Sequence, residues 1–476
     1  MASERIALTS YDIPEQHIDK RSFESLEQSF ASFCVILANF SGIVLARVLS
    51  GCLKRKILCY LVEFALIVVP TVLFVTVASD FSVHFVALMM VLLLLYLLRA
   101  CPLSRAKSRA QFQLGSRPFV LTLMRSMTHL ITAVCILAID FASFYRPYRK
   151  SRLFGAQLMD TGIGLFVVTM GLVSRRPRNC SDLRRNIWRS ALPLILLGIA
   201  RVVAILIVGY GQDEHEYGRH LNAFFTLGLT KLFGSLCSFL PRSDTQLLPL
   251  GLGVLACHQL ALTFGGVSEY VMNEDLPRST FVSANREGLF SLPGFVSIYL
   301  LSICLSRWLV AQISLSYREI VGKLRSLLIM SVLCWLLMAG SAYAVGIARV
   351  TCNLGYVSWM MFLITSMLCI SIFIFHLVIN DDADTLGDIE SLEKSPLIAA
   401  GAAHSKDKGG LLVICNSLNM NGLVFFLLAN ILTGGVNIFL QPENRSDSAS
   451  VFILLAYMLL VTSVAHLLYK RGIRIA

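Results

Sequence analysis

Long apolar runs alternate with short polar breaks along almost the whole chain. A helix needs about 20 apolar residues to cross a bilayer core. Windows of that length fall at 31–50, 57–78, 81–98, 118–144, 155–173, 190–209, 221–240, 246–264, 289–310, 326–348, 354–379, 421–440 and 451–468. They predict an all-α, polytopic transmembrane helix bundle of about thirteen spans. The chain then divides into a polar N-terminal segment, 1–30, and a single integral membrane domain, 31–476. A flexible, acidic loop at 380–420 interrupts that domain, with Asp381, Asp382, Asp384, Asp388, Glu390 and Glu393 ahead of the small-residue stretch IAAGAAHS. The first apolar run starts too far from Met1 to be a cleavable signal peptide. No repeat of fixed period is evident, which counts against transporter folds built from paired repeats.

Composition sharpens this reading. Of 476 residues, 56% are hydrophobic and 15% charged, against about 25% charged in an ordinary soluble domain. The net charge of +12 would suggest nucleic acid in a soluble chain, but its distribution points elsewhere. Alternate sets of loops carry 24 and 12 lysines and arginines. Basic residues collect in cytoplasmic loops, so the C-terminus is expected in the cytoplasm and the N-terminus in a lumen, with no nucleic-acid partner. The Asn444-Arg445-Ser446 sequon then falls on the lumenal side. The 13 cysteines are an odd number without CxxC spacing, which excludes a disulfide framework and a metal site as expectations.

One loop breaks the charge rule. Residues 145–154, YRPYRKSRLF, carry Arg146, Arg149, Lys150 and Arg152 on the side that should be poor in cations. Two carboxylates bracket them, Asp140 in ILAIDFASF and Asp160 in LMDTGIG. Ionisable residues in or beside spans are functional candidates by default. Here a cation can keep Asp140 charged, or a low dielectric can raise it toward a useful base. The alternatives are an ion pair clamping two helices, and an interfacial anchor with Tyr145 and Tyr148 at headgroup level. Gly162 and Gly164 read as close helix packing rather than a phosphate loop.

Further polar clusters belong to the same side: GYGQDEHEYGRHLN at 209–222, with His215, Glu216, His220 and Asn222, and SANREG at 283–288, with Asn285 and Arg286. Asp140, Lys150, Asp160, His215, His220 and Asn285 are expected to border one cavity. Arg201, halfway along its span, is a candidate counter-ion for Asp160 or a phosphate ligand. Glu63, Arg125, His129, Lys231, His258, Arg307 and His376 are the other ionisable residues in spans, and most suit snorkelling or a satisfied core imidazole.

The stretches AIDF…FGAQLMDTGIGLFV (138–167), LGIARVVA…GYGQDEHEYGRHLNAFFTLGLTKL (197–232), ANREGLFSLPGF (284–295) and FFLLANILTGGVN (425–437) closely resemble the glycosylphosphatidylinositol (GPI) inositol-acyltransferase family, known as PIG-W in animals. The resemblance runs from about residue 120 to the C-terminus; the polar motif such proteins carry near their N-terminus is not evident in residues 1–50. It implies thirteen spans in the endoplasmic reticulum membrane. It also implies an enzyme that moves a fatty acyl chain, usually palmitoyl, from acyl-CoA to the inositol 2-hydroxyl of glucosaminyl-phosphatidylinositol. Acyl-CoA is then a co-substrate and no cofactor is needed.

The family's aspartate followed ten residues later by a lysine falls on Asp140 and Lys150. Acyl transfer to an alcohol needs a base at the hydroxyl and positive charge where the oxyanion forms, so Asp140 is expected as base and Lys150 as the oxyanion or orienting group. Arg146, Arg149 and Arg152 would hold the phosphodiester or the CoA phosphates. Asp160, Arg201, His215, Glu216, His220, Asn222, Asn285 and Arg286 are the further substrate-binding candidates. The basic run at 174–189 suits either the nucleotide end of CoA or a plain cytoplasmic loop. A competing reading is a lipid or organic-anion transporter using the same charges; a histidine-dependent membrane O-acyltransferase would need a recognisable context for His129, His258 or His376.

Overall fold

The computed structural model describes residues 23–475 apart from 51–52, 54, 109–110, 115–117, 209–213, 313 and 380–411. The chain is an all-α polytopic membrane protein. Among the described residues, eleven helices are long and apolar enough to cross a bilayer, and Leu158–Leu172 and Ala223–Phe239 are shorter apolar helices. Each of the thirteen sequence windows coincides with one of these. A two-residue antiparallel pairing of Phe112–Gln113 with Ser314–Leu315 is the only strand pairing among the described residues.

Helix ends differ from the windows where polar residues intervene. The first helix is Glu24–Ser50, so it takes up the last residues of the supposed polar segment 1–30. Glu24 and Glu27 lie in its first turn, where negative charge suits the positive end of the helix dipole. The fourth is Phe119–Ala138, shorter than 118–144, and Asp140 sits in the turn beyond it. The sixth begins at Cys180, so ten of the sixteen residues of the basic 174–189 run are helical. The helix Tyr317–Ala344 stops short of 348 and leaves residues 345–353 as a loop. Residues 380–411 of the supposed flexible loop lie outside the described residues. Its end is not flexible coil: Val413–Met420 is a helix with Val413 to Leu418 buried.

The chain forms two compact units. One comprises Lys150–Trp308 and Ser331–Phe362 with the described residues up to Ser29; the other comprises Phe30–Arg149, Leu309–Met330 and the chain from Leu363 onward. In the second unit, Glu63, fully buried, accepts the backbone N–H groups of Val413 and Ile414 at 2.7 and 2.6 Å. These are first-turn donors that the short helix cannot satisfy itself, which gives a carboxylate inside a span a structural reason.

Small residues set the close contacts of the first unit. A side chain at Gly164 would collide with the Tyr356 hydroxyl and Met360, and one at Gly234 with the Tyr299 ring, as expected where helices pack without a hydrophobic drive between them. Two buried ionisable side chains there are paired. Lys231 donates to Ser174 Oγ at 2.5 Å and to Tyr299 Oη at 3.0 Å, and His258 Nε2 lies 2.8 Å from the Thr351 carbonyl.

Candidate functional site

Lys150 opens the first unit and leads into a tight turn built around Asp160. That carboxylate is fully buried. It accepts Ser151 N–H on both oxygens, at 3.2 and 3.1 Å, and Gln157 N–H at 3.3 Å. Gly155 inside the turn has φ +153° and no room for a side chain beside Ser151, so glycine is required there. Its N–H donates to Ile347 O at 2.9 Å, and the Tyr356 hydroxyl donates to the Asp160 carbonyl at 2.7 Å.

The remaining capacity of Asp160 goes to Arg349, whose Nε donates to Oδ1 at 3.0 Å. Arg349 is 5% exposed and lies on the 345–353 loop. Asn353 pins that loop by accepting Ala348 N–H and Tyr356 N–H and donating to Gly346 O. The guanidinium also stands 3.7 Å from Glu216 Oε1 and 5.8 Å from the centre of the Tyr217 ring. Glu216 in turn accepts Lys150 Nζ at 2.6 Å. Four charges of alternating sign thus form one chain: Asp160, Arg349, Glu216, Lys150.

Each charge stabilises the next. Burial alone would raise the Glu216 carboxyl, but Lys150 and Arg349 beside it pull it down to about 2. Burial likewise works against a charged Arg349, yet Glu216 and Asp160 hold it above its ordinary value. Glu216 sits below the usual carboxylate value of about 4.3. Its contribution to stability is therefore complete above about pH 5 and is withdrawn as pH falls toward 2. A Glu216→Gln variant is expected to be less stable than the parent at neutral pH, with the gap narrowing on acidification. Thermal unfolding scanned from about pH 6 to about pH 3 checks this; a constant gap contradicts it.

Several residues predicted to bind substrate spend their polar atoms on the protein. Asp160 is one, and its counter-ion is Arg349 rather than Arg201, which is exposed on its helix and acts on Glu216 only as a nearby charge. Asn222 caps the helix Ala223–Phe239, accepting Phe224 and Phe225 N–H and donating to Gly198 O. Asn285 accepts His220 and Leu221 N–H at 2.8 and 3.2 Å and donates to Phe281 O. Arg286 is fully buried and donates to Asn273 and Leu276 carbonyls.

Others remain accessible. His220 is exposed with its ring stacked near Phe281, and His215 lies 3.9 Å from Glu274. Arg152 forms a two-pronged contact with Glu274 at 2.7 and 2.6 Å, half exposed; such a surface pair is weak and exchangeable. In the second unit Arg146 is exposed and Arg149 half-buried. Asp140, also half-buried, accepts Asn437 Nδ2 at 2.9 Å on Oδ2.

A family model described as GWT1 matches residues 21–468. The chain belongs to the GWT1 family. An uncharacterized Arabidopsis thaliana protein is 31% identical over 422 residues, 87% of each chain. The GPI-anchored wall transfer protein 1 of Aspergillus oryzae is 30% identical over 386 residues, 75% of this chain and 73% of its own. That of Schizosaccharomyces pombe is 29% identical over 361 residues, 74% and 72%.

The GWT1 match encloses Asp140, Asn437 and the whole Asp160–Lys150 chain. Sequence reasoning missed Asn437, Glu274 and Arg349. Asn437 ends a motif that carried the resemblance, but nothing in an apolar helix announces which asparagine faces an aspartate. For Arg349 a signal existed: it is the one cation in a short break among loops expected to be poor in them.

Proposed function

We propose that this protein is an endoplasmic-reticulum acyltransferase of GPI-anchor biosynthesis. It moves a fatty acyl chain, palmitoyl in the first instance, from acyl-CoA to the inositol 2-hydroxyl of glucosaminyl-phosphatidylinositol. The observation that carries the reading is the family membership over nearly the whole chain, joined by relatives named GPI-anchored wall transfer protein 1. The residues supply the chemistry. Asp140 takes the hydroxyl proton as the alcohol attacks the thioester carbonyl, and the ammonium of Lys150 neutralises the oxyanion. Collapse of the tetrahedral intermediate expels CoA as the thiolate. Pairing Asp140 with Lys150 rests on their spacing of ten residues in one connecting segment, and Arg146, Arg149 and Arg152 supply charge for phosphate.

Asn437 supports this assignment by orienting Asp140. Replacing it with alanine is expected to slow transfer about ten- to hundredfold, the scale of a misplaced reacting group, with unchanged expression; an unaffected rate removes the orienting role. The proposal itself is tested with purified protein, palmitoyl-CoA and glucosaminyl-phosphatidylinositol, following free CoA thiol. Thiol release that requires both substrates supports acyl transfer. Movement of glycolipid across a vesicle membrane without thiol release supports transport instead.

A further inference from the structure

Lysine is a flexible four-carbon stem with a point charge at its end, so an ammonium meant to meet a developing oxyanion needs something to aim it. Lys150 has such a restraint. Its Nζ is 2.6 Å from Glu216 Oε1, with the lysine side chain 37% and the glutamate 20% exposed. One of its three N–H donors is thereby taken, which leaves two for an incoming oxygen. Glu216 does not float: Arg349 stands 3.7 Å away and is itself tied to Asp160 at 3.0 Å. Asp160 is immobilised by the backbone N–H groups of Ser151 and Gln157, and the 345–353 loop by Asn353.

We propose that Glu216 and Arg349 are positioning residues for Lys150, and that the chain Asp160–Arg349–Glu216–Lys150 aims the ammonium at the acyl oxygen. This rests on the reading of Lys150 as the group that meets the oxyanion. It replaces the expectation that Glu216 binds substrate, because a carboxylate at this point repels the phosphodiester and the CoA phosphates alike. Arg349 has two tasks. Its charge keeps two carboxylates from repelling each other, and its fork fixes the distance between them. A restraint in place before charge develops costs no reorganisation during reaction.

The test is a double-mutant cycle in purified full-length protein, with palmitoyl-CoA and glucosaminyl-phosphatidylinositol as substrates. Glu216→Gln keeps size and loses charge; it is expected to lower kcat about ten- to hundredfold with KM for both substrates little changed. Glu216→Asp recovers part of the loss. Arg349→Lys, which keeps the charge and loses the fork, behaves as a milder Glu216→Gln. In a Lys150→Ala background Glu216→Gln costs nothing further, since its only route to the reaction is gone.

Equal losses in both backgrounds, or a raised KM for the glycolipid at unchanged kcat, overturn the proposal. A second readout does not need activity: acetylation of Lys150 by a water-soluble reagent, followed by mass spectrometry, is expected to speed up several-fold in Glu216→Gln. An unchanged labelling rate also overturns it. The parent reading fails separately, if Lys150→Ala alone transfers acyl chains at the parent rate.

Discussion

Asp140→Asn is expected to lower the rate of acyl transfer by about 10²–10⁴-fold, the usual worth of a positioned general base. Asparagine fills the same space and retains a carbonyl oxygen for the amide of Asn437, which now donates to Asp140 at 2.9 Å. What disappears is the carboxylate proposed to accept the inositol proton. The loss should therefore appear in kcat, with glycolipid and acyl-CoA affinities and thermal stability close to those of the parent. Equal kcat in parent and variant, measured on purified protein, removes Asp140 from the mechanism. A rise in KM alone would recast it as a binding group.

The largest effect on stability is expected at Asp160. Its side chain is fully buried, satisfies two backbone N–H groups and neutralises an arginine that is itself 5% exposed. Removing one member of a buried pair leaves an uncompensated charge and costs about 3–5 kcal/mol. Asp160→Asn adds an amide donor where donors already converge, so the expected result is little folded protein or a strongly lowered Tm. The loss has a specific signature. Combining Asp160→Asn with Arg349→Gln removes the stranded charge, and the double variant should be more stable than Asp160→Asn alone. If the two losses simply add, the ion pair is not what Asp160 contributes.

The membrane architecture was legible in the sequence because twenty-residue apolar runs leave little choice of structure. Helix ends were not, since a polar residue at a span's edge fits either a last turn or a following loop. Asp140 fell on the loop side of that choice, and Glu24 on the helix side. The short helix Val413–Met420 escaped notice because eight residues mixing asparagine and serine with apolar groups carry no period strong enough to read.

The candidate site divides in the same way. Asp140, Lys150 and Asp160 stood out because they are near one another in sequence, the two carboxylates bracketing a loop whose cations break the charge rule. Their partners do not share that proximity: Asn437 is 297 residues from Asp140, Glu216 is 66 from Lys150, and Arg349 is 189 from Asp160. Of the two readings open for Asp160, ion-pair clamp or substrate ligand, its hydrogen bonds favour the clamp. The asparagines at 222 and 285 looked like ligands only because a polar residue near a membrane surface looks alike whether it caps a helix or binds a sugar.

The proposed acylation of the inositol ring has a direct chemical test. Inositol-specific phospholipase C cleaves by attack of the inositol 2-hydroxyl on its own phosphodiester, so an acyl group on that oxygen blocks it. Glucosaminyl-phosphatidylinositol incubated with the purified protein and palmitoyl-CoA is expected to gain one acyl chain by mass and to become resistant to the phospholipase. Product that remains fully cleavable, or no product with a folded and monodisperse protein, would contradict the account.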